Sequence, residues 1–150
     1  MKALIVSAGM EPSKELLLKY SQEVDIIVGV DKGCYYLVKN NVLPHIIIGD
    51  FDSSEIKIID DLELKGSIRY QYDSAFVLLF EKNGNERIFL GATGNRFDHT
   101  LGNIGLLLRA LNNGVRAYII DENNIITMIN KKCEVSMIEG FKNISFMGYN

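Results

Sequence analysis

The chain has 150 residues, enough for one domain with a proper core, or for one domain and part of a second. Its 47% hydrophobic and 23% charged residues are ordinary for a globular protein, and a net charge of −3 lacks the basic excess that marks nucleic-acid and membrane-surface binders. No apolar run approaches the length of a membrane span, the opening MKALIVSAGM reads as a first strand and not as an export signal, and the two distant cysteines, Cys34 and Cys133, form no metal-ligand pattern and are expected as reduced thiols in a cytoplasm.

In chain order, Ala3-Leu4-Ile5-Val6 is a continuous apolar run, the pattern of a strand covered on both faces. Ser7-Ala8-Gly9 follows, and Pro12-Ser13 opens a helix with Ser13 as N-cap and Leu16, Leu17 and Tyr20 on its inner face. Residues 25–30 predict a second strand, and residues 34–40 a short helix stopped by Asn40-Asn41 and the Leu43-Pro44 break. Residues 46–48 predict the third strand. A helix over 55–64, with Ile56, Ile59 and Leu62 at helical spacing, and a fourth strand over 67–72 come next. Residues 73–80 fit helix or strand equally. Residues 87–90 predict another strand. The helix predicted over 98–111 places Leu101, Ile104, Leu108 and Leu111 on one face and ends at Asn112-Asn113-Gly114, before a strand over 115–120. After Asp121 the texture changes to short β-like runs at 125–129, 132–138 and 143–147, with no helix between them.

The expected architecture is therefore α/β: a parallel-sheet domain over 1–121 with helices on both faces, then the start of a small all-β unit over 122–150. In such sheets ligands bind outside the carboxyl ends of the strands. The unusual turn chemistry lies at those ends: Ser7-Ala8-Gly9, Asp31-Lys32-Gly33, Gly49-Asp50-Phe51-Asp52-Ser53, and the run from Gly91 to Arg96. Asp50 and Asp52 offer two carboxylates at a strand end, as Mg²⁺ shared with substrate phosphates requires; the same residues also suit a plain polar turn with Ser53 or Ser54 capping the next helix. Gly91-Ala92-Thr93-Gly94 stands just before a helix, so its N–H groups can receive a phosphate, with Arg96 adding charge. The alternative is a tight strand-to-helix connection, with Asp98 there only to complement the helix dipole. There is no G-x-x-x-x-G-K-[ST], no G-x-G-x-x-G after the first strand, and no G-x-S-x-G; the only histidines are His45 and His99.

The ordered set V-D-K-G at 30–33, L-P-H-I-I-I-G-D-F-D-S at 43–53 and G-A-T-G-N-R-F-D-H-T-L-G-N at 91–103 resembles the bacterial thiamine pyrophosphokinases over nearly the whole chain. The resemblance implies an N-terminal α/β domain that binds ATP, a C-terminal β-sandwich, a homodimer, and Mg²⁺-dependent transfer of pyrophosphate from ATP to thiamine, giving thiamine diphosphate and AMP. By position it implies Asp31 and Gly33 for the family's acidic turn, Asp50 and Asp52 for its metal pair, and Ser53 for the hydroxyl that follows. It likewise implies Thr93, Gly94, Asn95, Arg96, Asp98 and His99 for the nucleotide motif, with Asn95 in place of a second Gly, a substitution that tolerates positive φ. Two departures stand out. The family's K-D-x-T-D-x-E carboxylates are reduced to Asp73 in a shorter stretch, where Asp73-Ser74 also reads as a helix N-cap. The β-sandwich is expected to be incomplete at Asn150. The alternative to an active kinase is a truncated nucleotide-binding relative without catalysis.

Overall fold

The computed structural model describes residues 1–50, 56–70, 86–94 and 96–148. Among the described residues seven strands form one sheet: β1 (Lys2–Val6), β2 (Ile26–Val30), β3 (Ile46–Ile48), β4 (Ile68–Tyr70), β5 (Glu86–Leu90), β6 (Arg116–Ile120) and β7 (Ile125–Thr127), in the order β4-β3-β2-β1-β5-β6-β7. All neighbours run parallel except β7, which pairs antiparallel with β6 through Tyr118 and Thr127, Ile119 and Ile126, and Ile120 and Ile125. The unbroken apolar run of β1 is explained by its central place: Ala3 to Val6 are all buried between layers above and below.

Helices cover both faces. On one, α1 (Lys14–Ser21) and α2 (Gly33–Lys39) pack Leu17, Tyr36 and Leu37 on Leu4, Val6, Ile27, Ile88 and Leu90, while α3 (Ile56–Leu64) sets Ile59 and Leu62 against Ile47 and Cys34. On the other, α4 (Phe97–Asn112) packs Leu107 and Ala110 on Ala3, Ile5, Val28, Phe89, Ala117 and Ile119. Topology accounts for this split. Right-handed crossovers that step from β1 outward to β4 lay their helices on one face, and the step from β5 to β6, taken in the opposite direction, lays α4 on the other. The order reverses between β1 and β5, and that is where an open α/β sheet forms its ligand crevice.

Ser13 caps α1 as expected, its Oγ accepting from the Leu16 N–H at 3.2 Å. The inner face of α4 differs from the expected stripe: Leu107 and Ala110 are buried, Ile104 and Leu106 partly so, and Leu101 is 52% exposed. This helix carries leucine or isoleucine on several sides, so periodicity leaves its rotation open; in the structure Leu107 and Ala110 face the sheet, and Asn103 Nδ2 donates to the Ala92 carbonyl at 2.7 Å. Residues 132–138 and 143–147, expected as strands, carry no regular structure and find no ladder partner among the described residues, and a strand without a ladder is not stable. Arg87 is buried in β5 with Ala3 and Ala117 as its registered neighbours. Two small side chains beside it leave room for the long one, and burial lowers the pKa of the guanidinium from its ordinary value.

Candidate functional site

At the switch point the turns after β1 and β5 are laced together by backbone. The Ser7 N–H donates to the Leu90 carbonyl (2.8 Å), Gly9 N–H to the Gly91 carbonyl (2.7 Å) and Met10 N–H to the Thr93 carbonyl (2.8 Å). Glycine is required for this approach. A Cβ on Gly9 would collide with the carbonyl oxygens of Gly91 and Thr93, and one on Gly91, whose φ is +64°, with that of Ser7. Because Ala92 also accepts from Asn103 (2.7 Å), three consecutive carbonyls, those of Gly91, Ala92 and Thr93, are each engaged by a protein donor. Carbonyl dipoles that would repel an anion are thereby held by the chain itself, which leaves N–H groups as the natural offering of this turn.

The Thr93 hydroxyl donates to Asp121 Oδ2 at 3.0 Å. Beyond the turn, Arg96 is the N-cap residue of α4, and its guanidinium grips Asp98 through Nη2 to Oδ2 (2.7 Å) and Nε to Oδ1 (3.3 Å), with His99 Nε2 at 3.8 Å from the same carboxylate. Both members of the Arg96–Asp98 pair are exposed at the surface. The hydrogen bond from Arg96 holds the Asp98 carboxyl below its ordinary pKa, and the same bond raises that of the guanidinium.

The second pair of turns adjoins the first. Asp31 takes a φ of +49°, a left-handed position that Asp tolerates better than most residues. Its N–H donates to the Ile48 carbonyl (2.8 Å) and its carbonyl accepts from the Cys34 N–H (3.0 Å), so it closes the turn into α2 beside the end of β3, after which Gly49 is buried and Asp50 exposed. A Cβ on Gly33 would collide with the Val6 carbonyl oxygen, which shows how closely the start of α2 rides on the end of β1. The Tyr36 hydroxyl donates to the Gly9 carbonyl (2.9 Å), tying α2 to the laced turns.

The structure therefore brings Asp31, Gly33, Asp50, Thr93, Gly94, Arg96, Asp98 and His99 to the carboxyl-end rim of one sheet. Asp52, Ser53, Asp73 and Asn95 lie outside the described residues. Among the described residues no three His, Cys, Asp or Glu side chains come together to hold a metal. The hard carboxylate oxygens of Asp50, exposed after the end of β3, are of the kind Mg²⁺ takes, since that ion uses one or two protein carboxylates and completes its shell with water and phosphate. Sequence reasoning assigned no role to Tyr36, Asn103 or Asp121. Asp121-Glu122-Asn123-Asn124 is legible as a turn from its composition, but its reach to Thr93 is a property of the fold.

The chain is similar to known proteins over much of its length. The family model described as Thiamin pyrophosphokinase, catalytic domain, matches residues 17–119. The thiamine pyrophosphokinase of Bacillus subtilis (strain 168) is 29% identical over 156 residues, an alignment that takes in 97% of this chain and 73% of that one. Among solved structures, the crystal structure of thiamine pyrophosphokinase from Bacillus subtilis superposes with a TM-score of 0.72 at 30% identity, over 85% of this chain and 63% of the other. That of thiamin pyrophosphokinase from Geobacillus thermodenitrificans superposes with a TM-score of 0.69 at 28% identity, over 85% and 62%. The chain thus spans somewhat less than two thirds of these two crystallised relatives. The family match, which spans more than half of the chain, establishes that this chain belongs to the thiamin pyrophosphokinase catalytic-domain family.

Proposed function

We propose that the chain binds ATP across the carboxyl ends of β5, β1, β2 and β3 and transfers its pyrophosphoryl group to thiamine. The observation that carries this reading is the turn at Gly91–Gly94, whose carbonyls are engaged by Gly9, Met10 and Asn103 and whose N–H groups precede a helix start. Backbone N–H groups at such a place receive phosphate. Transfer of this kind rests on positioning and charge neutralisation more than on covalent chemistry by the protein.

In the proposed reaction the thiamine hydroxyl oxygen bonds to the β-phosphorus of ATP, the bond from that phosphorus to the α,β-bridging oxygen breaks, AMP departs with the bridging oxygen, and the hydroxyl proton passes to a nearby carboxylate. Gly33, Thr93, Gly94 and Asn95, with the Ser53 hydroxyl, cradle the phosphates. Arg96 exchanges part of its grip on Asp98 for phosphate oxygens, and Asp31 and His99 flank the nucleotide. Asp50, Asp52 and Asp73 would hold Mg²⁺, which when bound offsets charge on the phosphates.

The stretch 122–150 reads in this proposal as the start of a C-terminal β-sandwich in a cytoplasmic homodimer. Ile129, Val135, Met137, Ile138, Ile144, Phe146 and Met147 are each at least half exposed, the pattern of a surface that awaits cover. The short carboxylate stretch at 69–76 favours the other reading, a nucleotide binder without turnover. One assay separates them: AMP and thiamine diphosphate measured by chromatography after incubation with Mg²⁺ and ATP, with and without thiamine. Thiamine-dependent AMP matched by thiamine diphosphate supports the kinase. Folded protein that binds ATP and releases no AMP supports the binder.

A further inference from the structure

We infer that the turn between β6 and β7 braces the phosphate-facing turn, with Asp121 as a positioning residue for the nucleotide; this rests on the ATP reading above. The Asp121 carboxylate is divided between two tasks. Its Oδ1 accepts from the N–H groups of Asn123 (2.8 Å) and Asn124 (2.8 Å) and from Asn124 Nδ2 (2.9 Å), which closes the turn. Its Oδ2 accepts from the Thr93 hydroxyl at 3.0 Å, across 28 residues of sequence, and also, at 3.2 Å, from Asn124 Nδ2 within the turn. The next residue holds the other side of the crevice: Glu122 Oε1 accepts from the Ser13 N–H at 2.9 Å, and Ser13 is the cap of α1.

One four-residue turn thus grips the chain that leaves β5 and the chain that leaves β1, the two segments that part at the switch point. Closing a turn needs one carboxylate oxygen; the second, besides its longer contact with Asn124, reaches out of the turn to Thr93. A carboxylate beside an anion site is unfavourable by charge alone, since like charges at short range repel. Its presence there is accounted for if what it does for the geometry of the Thr93 turn outweighs that repulsion, and the sign of a substitution decides the matter.

The test measures the affinity of the full chain for Mg²⁺-ATP by calorimetry, with thermal unfolding and circular dichroism alongside. Asp121→Ala removes the bond to Thr93 together with those that close its own turn, and is expected to weaken ATP binding about tenfold through loss of the charge-assisted bond to Thr93. Asp121→Asn, which keeps the oxygen that closes the turn, is expected to weaken it less. The double variant Asp121→Ala with Thr93→Val is expected to bind no worse than the weaker single variant, since both remove one bond. A purely structural Asp121 would lower the unfolding temperature and leave ATP affinity equal or, with a negative charge gone, tighter; that result overturns the brace. If Asp121→Ala does not fold, Asp121→Asn carries the test with the same sign. Wild-type protein that takes up no ATP overturns the brace and the ATP reading together, whereas wild type that binds and variants that bind equally well overturn the brace alone.

Discussion

The two ends of β1 and β5 are closed in opposite ways. At the amino end, Lys2 reaches Glu86 (3.2 Å) and Glu23 (3.4 Å), and Arg116 reaches Glu86 (3.3 Å), a set of side-chain ion pairs open to solvent. At the carboxyl end there is almost no side chain between the strands' continuations: Gly9, Gly33 and Gly91 let backbone touch backbone. Exposed ion pairs contribute little and tolerate replacement. Backbone contacts through glycine fix the positions of N–H groups and tolerate nothing larger. The end built for rigidity is the one to which the proposed ATP site is assigned.

Substitutions should sharpen this contrast. Gly33→Ala is expected to cost about 3 kcal/mol or more, since its Cβ meets the Val6 backbone. Gly105→Ala in α4, where a Cβ meets nothing within 4 Å, should instead stabilise by about 0.5–1 kcal/mol. Urea unfolding of both variants checks the opposite signs. Asn103→Ala should cost about 1 kcal/mol by releasing the Ala92 carbonyl, and should also weaken ATP binding, which calorimetry reads.

Lys2→Ala, at the other end, should cost about 0.5 kcal/mol and leave ATP affinity unchanged. Burial by itself lowers the Lys2 pKa, but hydrogen bonds and charge from Glu86 and Glu23 outweigh it and the net shift is upward. The contribution of Lys2 to stability is therefore complete below the ordinary lysine value and is lost as pH rises through the folded-state value. A titration of unfolding against pH should show that alkaline loss in wild type and not in the variant.

The smallest effect is local. Asp98 is depressed by Arg96, so what the pair contributes is present above the ordinary carboxylate range and is lost as pH falls through the folded-state value. In Arg96→Ala the Asp98 carboxyl should rise toward the ordinary value, measured by NMR titration of its side-chain carbon, with the unfolding temperature nearly unchanged.

Much of this rim is legible before any coordinates. Apolar runs such as Ala3-Leu4-Ile5-Val6 identify central parallel strands because both faces must be buried. Glycine punctuation at Gly9, Gly33 and Gly91 marks the places where chains approach. The Asp50 and Arg96 motifs stand out in residue type and spacing, and the structure sets both on this rim. The rotation of α4 is not legible, because apolar residues on several sides leave the buried face to be chosen by tertiary contacts, among them Leu107 and Ala110 on the sheet and Asn103 on Ala92. The runs at 132–138 and 143–147 have strand-like alternation but no ladder among the described residues, and alternation without a partner does not make a strand. The link from Asp121 to Thr93 joins two distant turns and has no local signature.

The most direct test of the central claim is a backbone NMR titration with Mg²⁺-ATP. The account predicts that amide shifts concentrate at Gly91–Gly94, at Asp31–Gly33 and at Gly49-Asp50, while Lys2, Glu86 and Arg116 at the opposite end stay still. Shifts centred on that opposite end, or a saturating titration that leaves the Gly91–Gly94 amides unmoved, would contradict it.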